Sequence, residues 1–220
     1  MASTRAQDAD PYLLLREQLR SGRLHPGQRL VEADLVESLG ASRALVRAAL
    51  SRLAHEGLVD KELNRGARVR TVSEDEAVEM TQARAVLEAL AARHAAENAS
   101  AEEIEQMRAL IAQMRTFLGQ NDLLSYSDCN ARLHGLVQTA SHHATAQRLI
   151  ANLRAQMVRF QFRTILVPGR ANESLAEHTD LVDAIAAHDP DRAESAMRLH
   201  LSHVAETLAR TKGAEGLGAD

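Results

Sequence analysis

Apolar residues between positions 42 and 59 recur at helical spacing. They follow one another at i, i+3, i+4 and i+7: Val46, Ala49, Leu50 and Leu53. Such a stripe is typical of an amphipathic helix that buries one face. Ser42 is a good N-cap because its hydroxyl accepts a hydrogen bond from a free amide of the first turn, and Gly57 suits the end of the helix. We therefore predict a helix that begins directly after Ser42.

A shorter amphipathic helix is predicted over residues 29–39. Its apolar face comprises Val31, Leu35 and Leu39. Gly40 and Ala41 then form a tight turn before the second helix. A helix, a glycine-containing turn and a second, capped helix together indicate a helix-turn-helix.

A basic stripe occupies a different face of the second helix. Arg43, Arg47 and Ser51 are spaced at i, i+4 and i+8, and the small residues Ala44 and Ala48 lie beside them. Two arginines flanked by methyl groups suit the DNA major groove, where a guanidinium binds guanine O6 and N7 or a phosphate. An isolated arginine pair would indicate only a solvated face, so the helix-turn-helix context is what favours DNA. The DNA contacts expected from this helix are those of Ser42, Arg43, Arg47 and Ser51.

Two strand-like runs, 58–63 and 67–70, follow the second helix and are separated by a short segment with a glycine. This is the pattern of a β-hairpin, and we interpret it as the wing of a winged helix-turn-helix. Backbone amides at a glycine can approach a phosphate closely. The DNA contacts expected from the wing are those of Arg65, Gly66 and Arg68.

The run from Leu19 to Val72 resembles the winged helix-turn-helix of the GntR family of bacterial transcription regulators. The matching positions are Gly22, Arg23, Leu24, Pro26, Gly27, Ser42, Arg43, Val46, Arg47, Ala49, Leu50, Leu53, 56–59, 64–67 and Val69. Ala44-Leu45 stands where the family usually has Thr-Pro, and Ala48 where it usually has Glu. The resemblance implies a regulator that binds double-stranded operator DNA, an inverted repeat, as a homodimer.

The net charge of −4 is unusual for a DNA-binding protein until the chain is divided. Through Val72 there are twelve basic and nine acidic residues, a balance of +3, and the remainder carries −7. Residues 41–70 alone carry +4. The local field is what attracts phosphate, so the positive charge lies where DNA binding is predicted.

Composition favours a helical, intracellular protein. Hydrophobic residues make up 45% and aromatic residues only 2%, so the core must be built from aliphatic side chains, which suits packed helices. The single cysteine, Cys129, agrees with a reducing cytoplasm. No run is long and apolar enough for a membrane span or a signal peptide, so we expect a cytoplasmic protein without a membrane partner.

After position 72 the sequence predicts helices only. Ser73 and Glu76 form a capping box that opens the first of them. The predicted helices are 74–98, 101–119, 121–140, 143–166, 170–188 and 190–211. We therefore expect a mainly α protein with three parts: a winged helix-turn-helix domain (1–72), an all-helical bundle (73–212) and a flexible tail (213–220).

Three histidines of the predicted bundle lie on faces that are otherwise apolar: His134, His178 and His200. Asn130 precedes His134 by one helical turn. A single buried histidine is more simply a core residue bonded to a carbonyl, because its ring nitrogens must be satisfied. Three on helices that can be neighbours favour a metal site, since neutral imidazoles bind zinc, nickel and similar ions.

The bundle is also similar to the FCD ligand-binding domain of FadR-like GntR regulators. The resemblance implies a metal site formed by Asn130, His134, His178 and His200. The first position is often Asp in the family, and an amide is a weaker ligand than a carboxylate. Zinc is the expected ion, with nickel or manganese as alternatives.

Arg84 is the candidate for binding an effector. It lies on the inner side of the first bundle helix, and Glu88 follows at i+4, a pair that resembles the start of FCD domains. One interpretation is a salt bridge within the helix. The other is a guanidinium that binds the carboxylate of an effector beside the metal.

Three functions remain in competition. The leading hypothesis is a transcription regulator, expected to be a repressor, whose helical domain binds a small carboxylate through a metal and so changes operator binding. The second is a regulator for which the ion itself is the signal. The third is a metalloenzyme, which the absence of H-E-x-x-H and G-x-S-x-G motifs disfavours.

Overall fold

The computed structural model describes residues 10–62, 66–160 and 162–212. Arg65, the first nine residues and the predicted tail 213–220 lie outside the described residues. Within the described part, nine α-helices and three short β-strands confirm the mainly α fold. The described chain separates into two compact units, one up to Val72 with Arg154–Val158, the other Ser73–Leu153 and from Arg159 onward. The assignment of 154–158 to the first unit was not anticipated from the sequence.

The first unit contains the predicted helix-turn-helix and hairpin. Its elements are α1 Pro11–Arg20, β1 Arg29–Leu30, α2 Glu32–Leu39, α3 Arg43–His55, β2 Val59–Glu62 and β3 Gly66–Val69. The Ser42 hydroxyl accepts a hydrogen bond from the amide of Leu45 and so caps α3 as expected. The four residues of the predicted apolar stripe of α3 are all buried. They pack with Tyr12 and Leu15 of α1 in one hydrophobic core.

The helix predicted over residues 29–39 is wrong at its start. Arg29 and Leu30 form β1, which pairs antiparallel with β3, and α2 begins only at Glu32. Leu30 is buried at 2% exposure in the core of this unit, whereas Val31 is an extended, partly exposed N-cap. Local periodicity could not reveal this strand, because its hydrogen-bond partners lie on β3.

The predicted hairpin is present as β2 and β3, and β1 adds a third strand in the order β1-β3-β2. Gly66 begins β3 with φ +91°. A Cβ atom at this position would lie 2.3 Å from the carbonyl oxygen of Leu30. Glycine is therefore required here by the close approach of β1 as well as by its backbone conformation.

The second unit is a bundle of long helices. They are α4 Glu74–Asn98, α5 Ala101–Gly119, α6 Leu123–Ala140, α7 Ala144–Gln156, α8 Arg170–Ala186 and α9 Pro190–Arg210. Side chains of Ser73, Ser100, Asp122 and Asp189 cap four of them. The main core of the unit consists mostly of aliphatic and methionine side chains from α4, α5, α6, α8 and α9, with Tyr126, Cys129 and, from the connection before α8, Ile165.

The predicted helix 143–166 is too long. The structure ends α7 at Gln156, and a 3-10 turn (Val158–Phe160) and further turns lead to Gly169. Phe160 and Ile165 of this connection are buried at 4% and 7% exposure. Burial of these two side chains by an irregular chain is a tertiary effect that helical periodicity does not report. Among the described residues, no helix has the length and hydropathy needed to cross a membrane.

The first prediction concerns the strand pairing at Gly66. Gly66→Ala should lower the free energy of unfolding by about 2 kcal/mol or more, because the new methyl group meets a backbone oxygen at positive φ. Chemical denaturation followed by circular dichroism measures the change. Gly119→Ala is the matched control, since a Cβ at Gly119 meets nothing within 4 Å. Equal stability of Gly66→Ala and the wild type would contradict the proposed role of this glycine.

Candidate functional site

The predicted DNA-reading face of α3 is exposed. Arg43, Arg47 and Ser51 lie opposite the buried stripe, and both small residues beside them are also exposed. Leu45 of the same helix is also exposed, at 55%. The described residues offer the side chain of Arg43 no hydrogen bond or ion pair, so its guanidinium is available for an external acceptor.

Polar contacts organise the rest of this face. Arg47 Nε donates to Glu32 Oε2 at 2.7 Å. The Ser51 hydroxyl donates to the carbonyl of Arg47 at 2.8 Å and accepts a hydrogen bond from Lys61 Nζ at 2.7 Å. Arg68 on β3 is exposed and donates to the carbonyl of Gly27. The ammonium group of Lys61, which sequence reasoning had not selected, therefore lies at the C-terminal end of the predicted DNA-reading stripe.

The three predicted histidines of the bundle come together. His134 on α6, His178 on α8 and His200 on α9 are 4%, 0% and 4% exposed, and their ring centroids are 4.2–5.3 Å apart. One ring nitrogen from each lies within 4.8 Å of those of the other two. The Nε2 atoms of His134 and His178 are 3.0 Å apart. Among the described residues this is the group of histidine, cysteine and acidic side chains placed to hold a metal ion.

The outer nitrogen of each ring has its own partner. His134 Nδ1 lies 2.7 Å from Glu88 Oε2. His200 Nδ1 lies 2.6 Å from Glu177 Oε2, and His178 Nδ1 lies 3.2 Å from the hydroxyl of Ser174. A carboxylate only accepts, so Nδ1 of His134 and of His200 carries the proton and Nε2 keeps its lone pair. These partners therefore select the tautomer in which Nε2 can bind a metal.

His178 can adopt either tautomer. In the contact between the two Nε2 atoms, His134 accepts and His178 donates, and the Ser174 hydroxyl then donates to His178 Nδ1. A hydroxyl can also accept, so a proton on Nδ1 of His178 is equally well satisfied by Ser174. In this second tautomer the site presents a third Nε2 lone pair, and a metal ion would replace the proton shared between the Nε2 atoms of His134 and His178.

Burial and charge set the protonation states of the site. Burial is the main cause that lowers the pKa of His178 well below its usual value. Burial also lowers the pKa of His200 to about 4, against the opposing effect of the hydrogen bond that His200 donates to Glu177. Burial alone would raise the pKa of Glu177, but hydrogen bonds from His200, His203 and Arg170 outweigh it and bring the pKa to about 2. His178 and His200 thus present neutral imidazoles, the form that binds metals, and Glu177 is an ionised carboxylate.

Two further polar groups of this region lack partners. The side-chain oxygen Oδ1 of Asn130, one turn before His134 on α6, is buried and accepts no hydrogen bond from the described residues. Nε and Nη1 of Arg170 are likewise buried and without a hydrogen-bond partner in the described part of the chain. A buried acceptor without a partner, one turn before His134 on the same helix, suits a fourth and weaker metal ligand, so the residues present fit a divalent ion.

Arg84 forms the salt bridge that was one of its two interpretations. Its Nε and Nη2 atoms lie 2.8 Å and 2.7 Å from Oε1 of Glu88. The other oxygen of Glu88 is the partner of His134. In this arrangement Arg84 compensates the charge of the buried carboxylate that orients the first histidine.

Comparison with known proteins assigns both units. Residues 10–69 match the family described as "Bacterial regulatory proteins, gntR family", and residues 79–203 match the FCD domain. The chain belongs to the GntR family of FCD-domain regulators.

Curated relatives of this GntR protein are transcription regulators. It is 28% identical over 200 residues to the "Probable D-xylose utilization operon transcriptional repressor" of Paenarthrobacter nicotinovorans, covering 89% of this chain and 86% of the relative. It is 25% identical over 201 residues to the HTH-type transcriptional repressor RspR of Escherichia coli K12, with 91% and 88% covered. The protein is thus a DNA-binding transcriptional regulator.

Solved structures share the fold of this GntR protein. Escherichia coli McbR/YncC superposes with a TM-score of 0.73 at 22% identity, covering 91% of this chain and 96% of that chain. A GntR transcriptional regulator from Rhodococcus sp. RHA1 gives a TM-score of 0.68 at 19% identity, with 90% and 95% covered.

Sequence reasoning missed the groups around the histidines of this GntR regulator. In the sequence analysis, Glu88 is considered only as a partner of Arg84, and Glu177 has no role. Ser174 and Arg170 were not considered at all. Ser174 precedes His178 by one helical turn, which is a detectable signal, but the approach of Glu177 to His200 on another helix has no signature in one sequence.

The second prediction concerns the pH dependence of folding in the GntR regulator treated with a chelator. The pKa values of His178 and His200 are lowered by folding, so the unfolded chain binds more protons below its histidine pKa of about 6.5. Stability should therefore fall as the pH decreases from 7.5 to 5.5, by roughly 1 kcal/mol for each of the two histidines. Urea denaturation at the two pH values measures this. His200→Gln should reduce the decline, and a wild type equally stable at both pH values would contradict the buried neutral state.

Proposed function

We propose that this GntR-family protein is a repressor that binds an inverted-repeat operator as a homodimer. A small carboxylate metabolite, bound through a divalent metal in the FCD domain, changes its affinity for DNA. Operator binding places its action in the cytoplasm. The observation that supports the ligand-binding part most directly is the convergence of three buried histidines whose outer nitrogens are all engaged.

For DNA, the support is the combination of fold, exposure and charge. The described part of the chain gives Arg43 no side-chain partner. Arg47 bonds Glu32, and Lys61 bonds Ser51, which holds both cations in place. Pre-positioned cations reduce the conformational entropy lost on binding phosphate or base edges. We propose that Ser42, Arg43, Arg47, Ser51 and Lys61 contact DNA from this face, and that Arg65, Gly66 and Arg68 do so from the wing.

For the metal, we propose Asn130, His134, His178 and His200 as the ligands. Three nitrogen donors with a weak oxygen donor suit zinc, and nickel or manganese would also accept this set. A divalent ion held there supplies Lewis acidity and an open position for a carboxylate oxygen. Arg84 stays a predicted effector residue, although the contacts of its Nε and Nη2 atoms with Glu88 favour a supporting role.

The third prediction tests the DNA-reading face. Arg43→Ala should weaken binding to the cognate operator by roughly 1–3 kcal/mol, because an exposed guanidinium without an internal partner contacts a base or a phosphate. Fluorescence anisotropy at a fixed salt concentration measures the affinity. Arg108→Ala, which removes an equally exposed arginine on α5, is the control for the loss of one charge. If Arg43→Ala and Arg108→Ala bind operator like the wild type, α3 is not the recognition helix.

The fourth prediction tests the metal ligands. Asn130→Asp should tighten zinc binding by about tenfold or more, because a carboxylate replaces a neutral amide at an orphaned acceptor position. Competition with a chromophoric chelator measures the affinity. Asn172→Asp introduces the same charge at an exposed position of α8 and should leave it unchanged.

His200→Gln complements this test. It should lose the ion and the response to the effector while operator binding is retained, because the winged helix-turn-helix forms its own core. Metal content by elemental analysis, together with anisotropy, gives both readouts. A protein purified without chelator that contains no metal and still responds to its effector would contradict the metal site. DNA binding that changes with zinc alone would instead favour a metal sensor.

A further inference from the structure

Arg170 is a buried cation with too few partners. It is the first residue of α8, and its side chain is 4% exposed. Nη2 donates to Oε2 of Glu177 at 2.8 Å. Nε and Nη1, which together carry three hydrogen atoms, have no acceptor among the described residues. Most of the donor capacity of this guanidinium is therefore unused inside the protein.

Glu177, the side-chain partner of Arg170 among the described residues, is also shared. Oε2 of Glu177 accepts from both Arg170 and His200, and Oε1 accepts from His203. A buried charge is tolerated only when it is paired and hydrogen-bonded, and each buried donor left without an acceptor is destabilising. A buried guanidinium with only a structural role would donate its hydrogens to carbonyl groups of the protein. The orphaned donors of Arg170 indicate an acceptor that is supplied from outside the chain.

Glu177 connects Arg170 to the histidine cluster. Because one oxygen of this carboxylate bonds both Arg170 and His200, the guanidinium lies one carboxylate away from a proposed metal ligand. By contrast, Arg84 directs its Nε and Nη2 atoms at one oxygen of Glu88. Arg170 therefore has two buried nitrogens, Nε and Nη1, whose hydrogens are open to an anionic ligand.

The charges around the cluster define the ligand. Arg84 and Glu88 compensate each other, as do Arg170 and Glu177. Imidazoles that coordinate a metal are neutral, as is the amide, so these ligands add no charge. A divalent ion would leave two positive charges in a buried site, which a ligand with two negative charges balances. Nε or Nη1 of Arg170, each with a hydrogen of Nη2, offers a two-donor edge that suits a carboxylate.

We propose that Arg170 is the second anchor of the effector site, and that the effector is a dicarboxylate. One carboxylate binds the ion, and the other accepts hydrogen bonds from the free edge of the Arg170 guanidinium. This inference rests on the proposed function, in which a carboxylate binds at the metal. It adds a second anionic group to the ligand and a named residue to its recognition.

Calorimetric titration of the zinc-loaded protein tests the inference. The probes are three dicarboxylates of increasing length, malonate, succinate and glutarate, and the monocarboxylates acetate and propionate. At least one dicarboxylate should bind the wild type tenfold or more tightly than either monocarboxylate. In Arg170→Gln its affinity should fall by roughly 30-fold, as expected when a buried charge pair loses one partner, whereas monocarboxylate affinity should change less than threefold.

Two further variants make the result specific. Arg198→Gln removes an arginine that is paired with Glu194 on the exposed side of α9 and should bind every probe like the wild type. Arg170→Lys keeps the charge without the two-donor edge, so it should lose an intermediate part of the dicarboxylate affinity. Zinc stoichiometry and thermal unfolding of each variant verify that the site is intact. If Arg170→Gln loses zinc, the test rests on Arg170→Lys: partial loss of its dicarboxylate affinity supports the role of Arg170, and an unchanged affinity contradicts it.

The outcomes separate the two proposals. A wild type that binds neither class of probe, with zinc present, overturns the proposed carboxylate function and this inference with it. A wild type that binds mono- and dicarboxylates equally, or an Arg170→Gln variant that keeps the dicarboxylate preference, overturns the role of Arg170 and leaves the proposed function standing. Loss of the preference in the Arg170 variants, with zinc retained, supports the inference.

Discussion

The helical domain depends on the way two buried carboxylates are neutralised. Glu88 and Glu177 are 1% and 12% exposed at the side chain, and each bonds one arginine and at least one histidine. A buried carboxylate left alone would be strongly destabilising, so these contacts are required for folding. The same contacts hold the proton of His134 and His200 on Nδ1 and leave Nε2 facing the cluster. The contacts that compensate the buried charges therefore also orient the histidine nitrogens that could bind a metal. They join four helices, α4, α6, α8 and α9.

This arrangement explains how one bundle can be stable and still bind a ligand. The two arginine–glutamate pairs lie within single helices, whereas the histidines are brought to them from other helices. The buried polar groups without a partner in the described part of the bundle include Asn130 Oδ1 and two nitrogens of Arg170, which an ion and an anion would satisfy. A ligand that satisfies buried groups stabilises the state in which they are assembled. It can change operator binding only to the extent that it favours one arrangement of the protein over another.

The polar groups proposed to bind DNA lie on the surface of their unit, unlike the buried polar groups of the bundle. The exposed stripe of α3 needed only helical phase to be predicted, and the structure places its members as expected. Lys61 was missed because it reaches Ser51 from a strand. In the sequence analysis, Gly66 is explained by the close approach of its backbone to DNA. The structure adds a second explanation, because a side chain at this position would collide with the backbone of Leu30. A surface residue can therefore be assigned from the sequence and still have an additional structural constraint.

The sequence by itself determined the caps, the apolar stripes and the placement of three histidines and one asparagine on inward faces. These features depend on residues within about one or two helical turns, where spacing is visible in the chain. Only the tertiary structure decided that Arg29 and Leu30 form a strand, that α7 ends at Gln156, and that Glu177 meets His200. It also showed that Arg170 is buried and that its Nε and Nη1 atoms have no acceptor among the described residues. Strand pairing, irregular burial and ion pairs between helices depend on residues far apart in the chain, and periodicity carries no information about such pairs.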